Sequence, residues 1–223
     1  TRPGQVKIAD LDGNGFIDSG NFAVNDHGDL RIIGNQSPRY HYGLNLSASW
    51  NGIGLSVFLQ GVGKHDWYPG SDAGMFWGKY GRPFFALIPG IHNYTDDMYS
   101  AERNNWDTAY WPRMTTYQSN GVKNWTRLLE IPNTRYLQSA AYLRVKNIQL
   151  DYSFPKHICS AIRLQGLKIY VNAENLFTFT PLHKYAPNFD PEGLAYDADF
   201  ASAADGYTYP ILKSVTVGIN ITF

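Results

Sequence analysis

The stretch "ILKSVTVGINITF", residues 211–223, decides the fold class because apolar and polar residues alternate along it. Val215, Val217, Ile219 and Ile221 are separated by single threonine, glycine and asparagine residues. Since successive side chains of a β-strand point to opposite faces, this period of two predicts a strand with one apolar face. In a water-soluble protein that face packs against a core, whereas in an outer-membrane barrel it contacts lipid.

The same alternation recurs in four earlier runs, at 40–50, 53–63, 140–154 and 167–179. Asn-Gly lies between the first two runs and predicts a tight hairpin turn. Past Asn147 the apolar positions slip by one residue, which predicts a β-bulge. A tilted membrane strand needs about 9–11 residues, and all five runs are long enough.

The pattern divides the chain into six segments. They are an N-terminal loop (1–39), two strands (40–63), a long aromatic-rich loop (64–138), two strands (139–180), a second long loop (181–209) and a last strand (210–223). Short turns fall at one end and long loops at the other, which is typical of outer-membrane barrels. The sequence therefore predicts an all-β fold of antiparallel transmembrane barrel strands. Five strands cannot close a wide barrel, so we expect the other strands in sequence outside this chain.

Composition narrows the class of function. The net charge is zero, which gives no reason to expect nucleic acid as a partner. Aromatic residues make up 15% of the chain and charged residues 17%, a balance that suits β structure and membrane interfaces. Cys159 is the single cysteine and excludes a disulfide framework within the chain. The chain opens on Thr-Arg-Pro-Gly rather than methionine, so we expect a part of a longer protein.

Four motifs point to a known family. They are "IGNQSPRYHYGLNLSASWNGIGLSVFLQGVGKHDWY" (33–68), "YLRVKNIQLDYSFP" (142–155), "LKIYVNAENLFTFT" (167–180) and "VTVGINITF" (215–223). In this order they resemble the last third of SusC/RagA-type TonB-dependent outer-membrane transporters. The terminal Phe223 is similar to the C-terminal aromatic residue by which such barrels are recognised for assembly. The resemblance covers almost all of the chain.

This resemblance implies a barrel of about 22 strands with a plug in its lumen, in the outer membrane of a Gram-negative bacterium. It implies import of glycan or peptide fragments driven by TonB, with a SusD-like surface lipoprotein that closes over the extracellular mouth. The plug and the TonB-contacting segment belong to the N-terminal part of the family. We therefore expect this chain to supply lipid-facing wall, polar lumen and extracellular loops.

The motif "DLDGNGFID", residues 10–18, has the ligand spacing of an EF-hand-like loop. The candidate ligands are Asp10, Asp12, Asn14, the carbonyl group of Phe16, and Asp18. Position 12 of such a loop, where a bidentate glutamate is expected, is Asn21. The spacing predicts a structural Ca²⁺ (or Mg²⁺) site. The alternative is an acidic surface turn without metal.

Aromatic side chains concentrate in the predicted extracellular loops, interleaved with carboxylates and amides. The candidate contacts for a ligand or for the lid protein are Trp67, Tyr68, Trp77, Trp106, Tyr110 and Trp111. Tyrosine and tryptophan are favoured anchors at interfaces, and their rings also stack on sugars. For any single ring, the alternative is packing inside a folded loop.

No catalytic motif for metalloprotease, serine hydrolase or P-loop chemistry occurs, so we expect no enzyme activity. Two other classes stay open. One is a secreted, calcium-stabilised β-sandwich that binds carbohydrate, and the other is a passive porin. In a sandwich the apolar strand faces are buried against a second sheet, whereas in a barrel they are open to lipid.

Overall fold

A computed structural model of the protein describes residues 3–4, 6–69, 76, 99–111, 132–194 and 211–223. Its long strands are β1 (Arg39–Trp50), β2 (Ile53–Lys64), β5 (Tyr142–Ser153), β6 (Gly166–Phe179) and β7 (Ser214–Thr222). They pair antiparallel in one sheet of order β1-β2-β5-β6-β7. The short strands β3 (Asp66–Trp67) and β4 (Gln138–Ser139) form a separate pair. The five predicted strands are therefore confirmed.

Side chains of the five long strands form rows across the sheet, apolar on one face and polar on the other. One row of register partners is Leu46, Val57, Ile148, Ala173 and Val215. The adjacent row is Ser47, Ser56, Gln149, Asn172 and Thr216. The apolar face is open, since Leu46 is 51% exposed and Val217 is 72% exposed. Within the described ranges no second sheet covers this face, so the sheet has the pattern of a wall between lipid and a polar lumen.

The predicted bulge is confirmed in β5. Asn147 pairs with Phe58 and Val145 pairs with Leu59, which leaves Lys146 as the extra residue between two consecutive partners on β2. A bulge places two neighbouring side chains on nearly the same side of the strand. Lys146 consequently projects to the face that carries the polar rows, where its amine meets a carboxylate of a neighbouring loop.

The connections differ at the two ends of the sheet. Asn51 and Gly52 form the turn between β1 and β2, with φ of +48° and +87°, as a two-residue hairpin turn requires. The helix α1 (Lys156–Ala161) lies in the short connection between β5 and β6. The long connections lie at the opposite end, where β1 begins and β2 and β6 end. No helix in the described segments is long and apolar enough to cross a membrane.

The buried hydrophobic core lies in the long connections rather than on the sheet. Its members are Trp67, Tyr68, Phe76, Trp111, Tyr136, Ala140, Leu182, Ala186, Phe189 and Leu194. They come from two long connections, and Val6 of the N-terminal segment packs against them. We call the described parts of 3–38, 65–141 and 180–211 the loop cap. These loops form one folded unit at the end of the barrel wall.

Candidate functional site: the loop cap

Aromatic rings hold the centre of the loop cap together. Phe76 lies between two tryptophan rings, with centroid distances of 5.6 Å to Trp67 and 5.0 Å to Trp111. Trp67 also contacts Phe189 at 5.2 Å, which joins the loop after β2 to the loop after β6. Trp67 is 3% exposed and Trp111 is 2% exposed. Rings of this size dominate the energetics of the cores in which they are buried, so these contacts fix the two loops to each other.

A second set of contacts surrounds Tyr110. Its ring stacks on Tyr185 with a centroid distance of 3.6 Å, and its hydroxyl group accepts a hydrogen bond from Gln138 at 2.8 Å. The Tyr136 hydroxyl donates to the Tyr110 carbonyl at 3.1 Å. Burial raises the pKa of Tyr110 far above its usual range, so the phenol stays neutral. These contacts hold the Tyr110 ring in place within the cap.

A buried ion-pair network connects the loop after β6 to the barrel wall. The Arg144 guanidinium group of β5 contacts Asp190 at 2.5 Å and Glu192 at 2.7 Å, and its Nε donates to Thr178 at 2.9 Å. Lys146 contacts Glu192 at 2.7 Å. Arg144 is 3% exposed, so its charge-assisted hydrogen bond to Asp190 forms away from bulk water. These contacts attach the loop after β6 to the barrel wall.

Asp190 is ionised at the centre of this network. Burial alone raises its pKa, but the hydrogen bond from Arg144 and those from the backbone amides of Glu192 and Ile211 together hold the pKa below its usual value. The Ile211 amide donates at 3.2 Å, just before β7 begins. Asp190 thus joins the two ends of the last long connection as well as the wall.

The acidic loop has the tight turns that the motif predicts. The Asp10 carboxylate accepts hydrogen bonds from the Gly13 amide at 2.6 Å and the Gly15 amide at 2.9 Å. The bond from Gly15 is the main reason that the pKa of Asp10 is lowered. The Asn14 side chain donates to Asp12 at 2.9 Å, and its oxygen accepts the Phe16 amide at 2.7 Å. The loop is thus ordered around its ionised carboxylates.

A third carboxylate, missed by the sequence analysis, completes the acidic group. Oxygen atoms of Asp10, Asp12 and Asp29 lie within 4.8 Å of one another. Asp29 is 9% exposed and accepts the amides of Leu11 at 2.5 Å and Asp18 at 2.9 Å. Asp18 is not a member of this carboxylate group. Its side chain accepts a hydrogen bond from the Gly20 amide at 2.8 Å.

A small hairpin brings Asp29 to the acidic loop. The Asp29 amide donates to the Asp18 carbonyl at 2.9 Å, and Ala23 pairs with Asp26 between them. Asp18 and Asp29 are 11 positions apart in the sequence. The motif would place these two acidic positions three apart. Gly20 and Gly28, both with positive φ, lie at the base of the hairpin and are the sequence signal for it.

The six predicted aromatic contacts have different surroundings. Trp67, Tyr68 and Trp111 are buried in the cap core, which leaves little of each ring for a ligand. Trp106 is 64% exposed. Trp77 lies outside the described residues. Contact with a ligand or a lid protein stays a prediction for all six, and burial favours the packing alternative for the first three.

The fold and the cap define part of the wall of an outer-membrane β-barrel with folded loops at one mouth. No family model matches the chain. The TonB-dependent receptor P3 of Formosa agariphila is 26% identical over an alignment of 227 positions, which covers 99% of this chain and 19% of that receptor. The TonB-dependent receptor P39 of the same organism is 24% identical over 223 residues. The chain thus spans about a fifth of the length of the curated relatives it matches.

Solved structures give the same result for the fold. The structure of the RagAB peptide importer in the 'closed-closed' state matches with a TM-score of 0.56 and 20% identity over 94% of this chain and 20% of that chain. The 'open-open' state matches with a TM-score of 0.52 over 90% of this chain and 19% of that chain. The chain is therefore similar to TonB-dependent receptors along its whole length. The resemblance, the fold of antiparallel barrel strands and the outer-membrane location are confirmed. These relatives are receptors and importers rather than enzymes.

Proposed function

We propose that the chain is part of a TonB-dependent active importer of nutrient oligomers across the outer membrane. The observation that carries this proposal is the two-faced wall, with open apolar rows on one side and polar rows on the other. The whole-length likeness to TonB-dependent receptors supports it. In this role the chain makes and breaks no bonds. It supplies wall, lumen surface and a folded cap beside the entrance.

The importer works with a SusD-like surface lipoprotein that covers the mouth, and with TonB through the rest of the transporter. The support is the match to the RagAB peptide importer in its 'open-open' and 'closed-closed' states. The imported nutrient is an oligopeptide or a glycan fragment. Exposed aromatic rings and carboxylates of the cap suit hydroxyl-rich and amide-rich ligands alike.

We also propose that the acidic loop binds Ca²⁺ in a structural role. Three carboxylates with oxygens within 4.8 Å supply hard ligands of the kind that Ca²⁺ prefers, and Asp10 is kept ionised by its backbone hydrogen bonds. Asp10, Asp12 and Asp29 would hold the ion. The ion would neutralise their mutual repulsion and fix the hairpin against the loop.

The test of the import proposal is made on the whole transporter in cell envelopes. Detergent extraction followed by mass spectrometry should find it with a surface lipoprotein. Labelled oligopeptides and oligosaccharides should enter the periplasm only when TonB is present. A protein that is soluble without detergent would instead support the secreted binding module. Uptake that is independent of TonB would support a passive porin.

A further inference from the structure

The loop that joins Tyr99 to Trp111 is closed on itself. The Tyr99 amide donates to the Trp111 carbonyl at 3.2 Å, which joins its two ends. Within the loop, the side-chain oxygen of Asn105 accepts a hydrogen bond from the Ser100 amide at 2.8 Å, and the backbone carbonyl of Asn105 accepts one from the Ala109 amide at 2.9 Å. These hydrogen bonds fix the loop before any partner binds, so little conformational entropy is lost on binding.

Both ends of this loop are anchored in the cap. Trp111 belongs to the aromatic core, and the Tyr99 ring lies directly against Gly4, where an added Cβ would be 2.3 Å from the ring. Arg135 donates to the Ala109 carbonyl near the same end. The base of the loop is therefore rigid, although most of its residues between the ends are exposed.

The tip of the loop presents one large apolar side chain. Trp106 is 64% exposed, and no other ring among the described residues contacts it. Glu102, Asp107 and one cation, Arg103, are exposed on the same loop, so its exposed acidic residues outnumber its exposed basic residues by one. The loop thus presents an exposed ring on a segment with a small excess of negative charge.

We propose that Trp106 is the anchor by which the surface partner protein docks on the loop cap, a proposal that rests on the proposed function. Small ligands bind in concave sites where several groups surround them, whereas this ring is exposed on a closed loop and has no ring partner among the described residues. Exposed tryptophan held on a rigid frame is the typical hot spot of a protein interface. The matching partner surface is an apolar pocket with basic residues at its rim.

The experiment uses the whole transporter in detergent and the companion lipoprotein separated from the wild-type complex. Binding of the companion is measured for wild type, Trp106→Ala, Thr108→Ala and Phe22→Ala. Thr108 is an exposed residue of the same loop, and Phe22 is a ring that is 78% exposed on another part of the cap. Limited proteolysis of each variant checks that the cap is folded. Trp106→Phe tests whether a smaller ring retains part of the affinity.

Alanine substitution of a hot-spot residue raises the Kd of a complex about thirtyfold or more, whereas substitution of a residue at the rim of the interface changes the Kd little. We therefore expect a rise of this size for Trp106→Ala and changes within about twofold for the two control variants. A Trp106→Ala variant that binds the companion as wild type does would overturn the inference and leave the proposed function intact. A Trp106→Ala variant that loses nutrient uptake but still binds the companion would also overturn the inference, because the ring would then contact the nutrient rather than the companion. A wild-type transporter without any companion would overturn both proposals.

Discussion

Replacement of Arg144 by methionine is expected to release the loop after β6 from the barrel wall. Arg144 is 3% exposed, and its guanidinium group contacts Asp190 at 2.5 Å and Glu192 at 2.7 Å. Methionine retains much of the volume but leaves the buried Asp190 carboxylate without its cation. Loss of one partner of a buried pair costs about 3–5 kcal/mol. Because Glu192 retains Lys146, we expect the lower end, about 3 kcal/mol.

Hydrogen exchange at two amides measures this release. The amides of Glu192 and Ile211 donate to Asp190 at 3.0 Å and 3.2 Å, so they exchange when the network opens. A loss of about 3 kcal/mol raises their exchange rates about 150-fold, while amides within the long strands stay protected. Lys146→Met is the matched control, since Glu192 then retains Arg144. We expect less than a tenfold change there.

Two results would refute this reasoning. One is an unchanged exchange rate at both amides in Arg144→Met. The other is an equal acceleration in Lys146→Met, which would show that net charge rather than the buried contact holds the loop. The double variant Arg144→Met with Asp190→Asn removes both buried charges. It should therefore recover part of the protection, because a neutral pair needs no compensating charge.

Three further predictions concern the wall, the acidic loop and the cap. Gly218→Ala places a Cβ 2.3 Å from the Tyr170 ring and should lower the free energy of unfolding of the barrel in urea by about 1–3 kcal/mol. Gly166→Ala, whose added Cβ would have its nearest contact at 3.6 Å, should leave this free energy unchanged. Ca²⁺ should protect the acidic loop from proteolysis and chelation should remove the protection; Asp29→Asn should raise the Ca²⁺ concentration required by at least tenfold. Burial lowers the pKa of His65, so below about pH 6.5 the unfolded state binds a proton that the folded state does not. The thermal stability of the cap should therefore fall as the pH drops below about 6.5, and His65→Leu should weaken this pH dependence.

Each of these predictions has an opposing result. Equal destabilisation by the two glycine variants would show that the Tyr170 ring moves aside at no cost. Proteolysis of the acidic loop that is independent of Ca²⁺ would support the turn without metal. An unchanged acid dependence in His65→Leu would assign the dependence to other titratable groups.

The wall is predictable from sequence because its determinants are local. Alternation fixes which residues share a face, and the Asn51–Gly52 pair fixes the turn that aligns β1 with β2. Even the bulge is visible, as a change of phase near Lys146. In each case the information lies within about ten residues of the feature itself.

The cap is less predictable because its contacts join distant parts of the chain. No local pattern indicates that Trp67 packs on Phe189, or that Tyr110 stacks on Tyr185. The same holds for Asp29, which reaches the acidic loop only because a hairpin folds it back. Composition identifies rings suited to binding, but the partner of each ring depends on how the loops fold.

The sequence separation within the cap core sets an order of assembly. Trp67 follows β2 and Phe189 follows β6, so their contact joins residues that β5 and β6 separate in the chain. Contacts between residues so far apart in sequence are slow to form. We therefore expect the cap core to be completed after the long strands have paired. Substitutions that weaken its core should spare insertion of the strands and show their effect only after the barrel is in place.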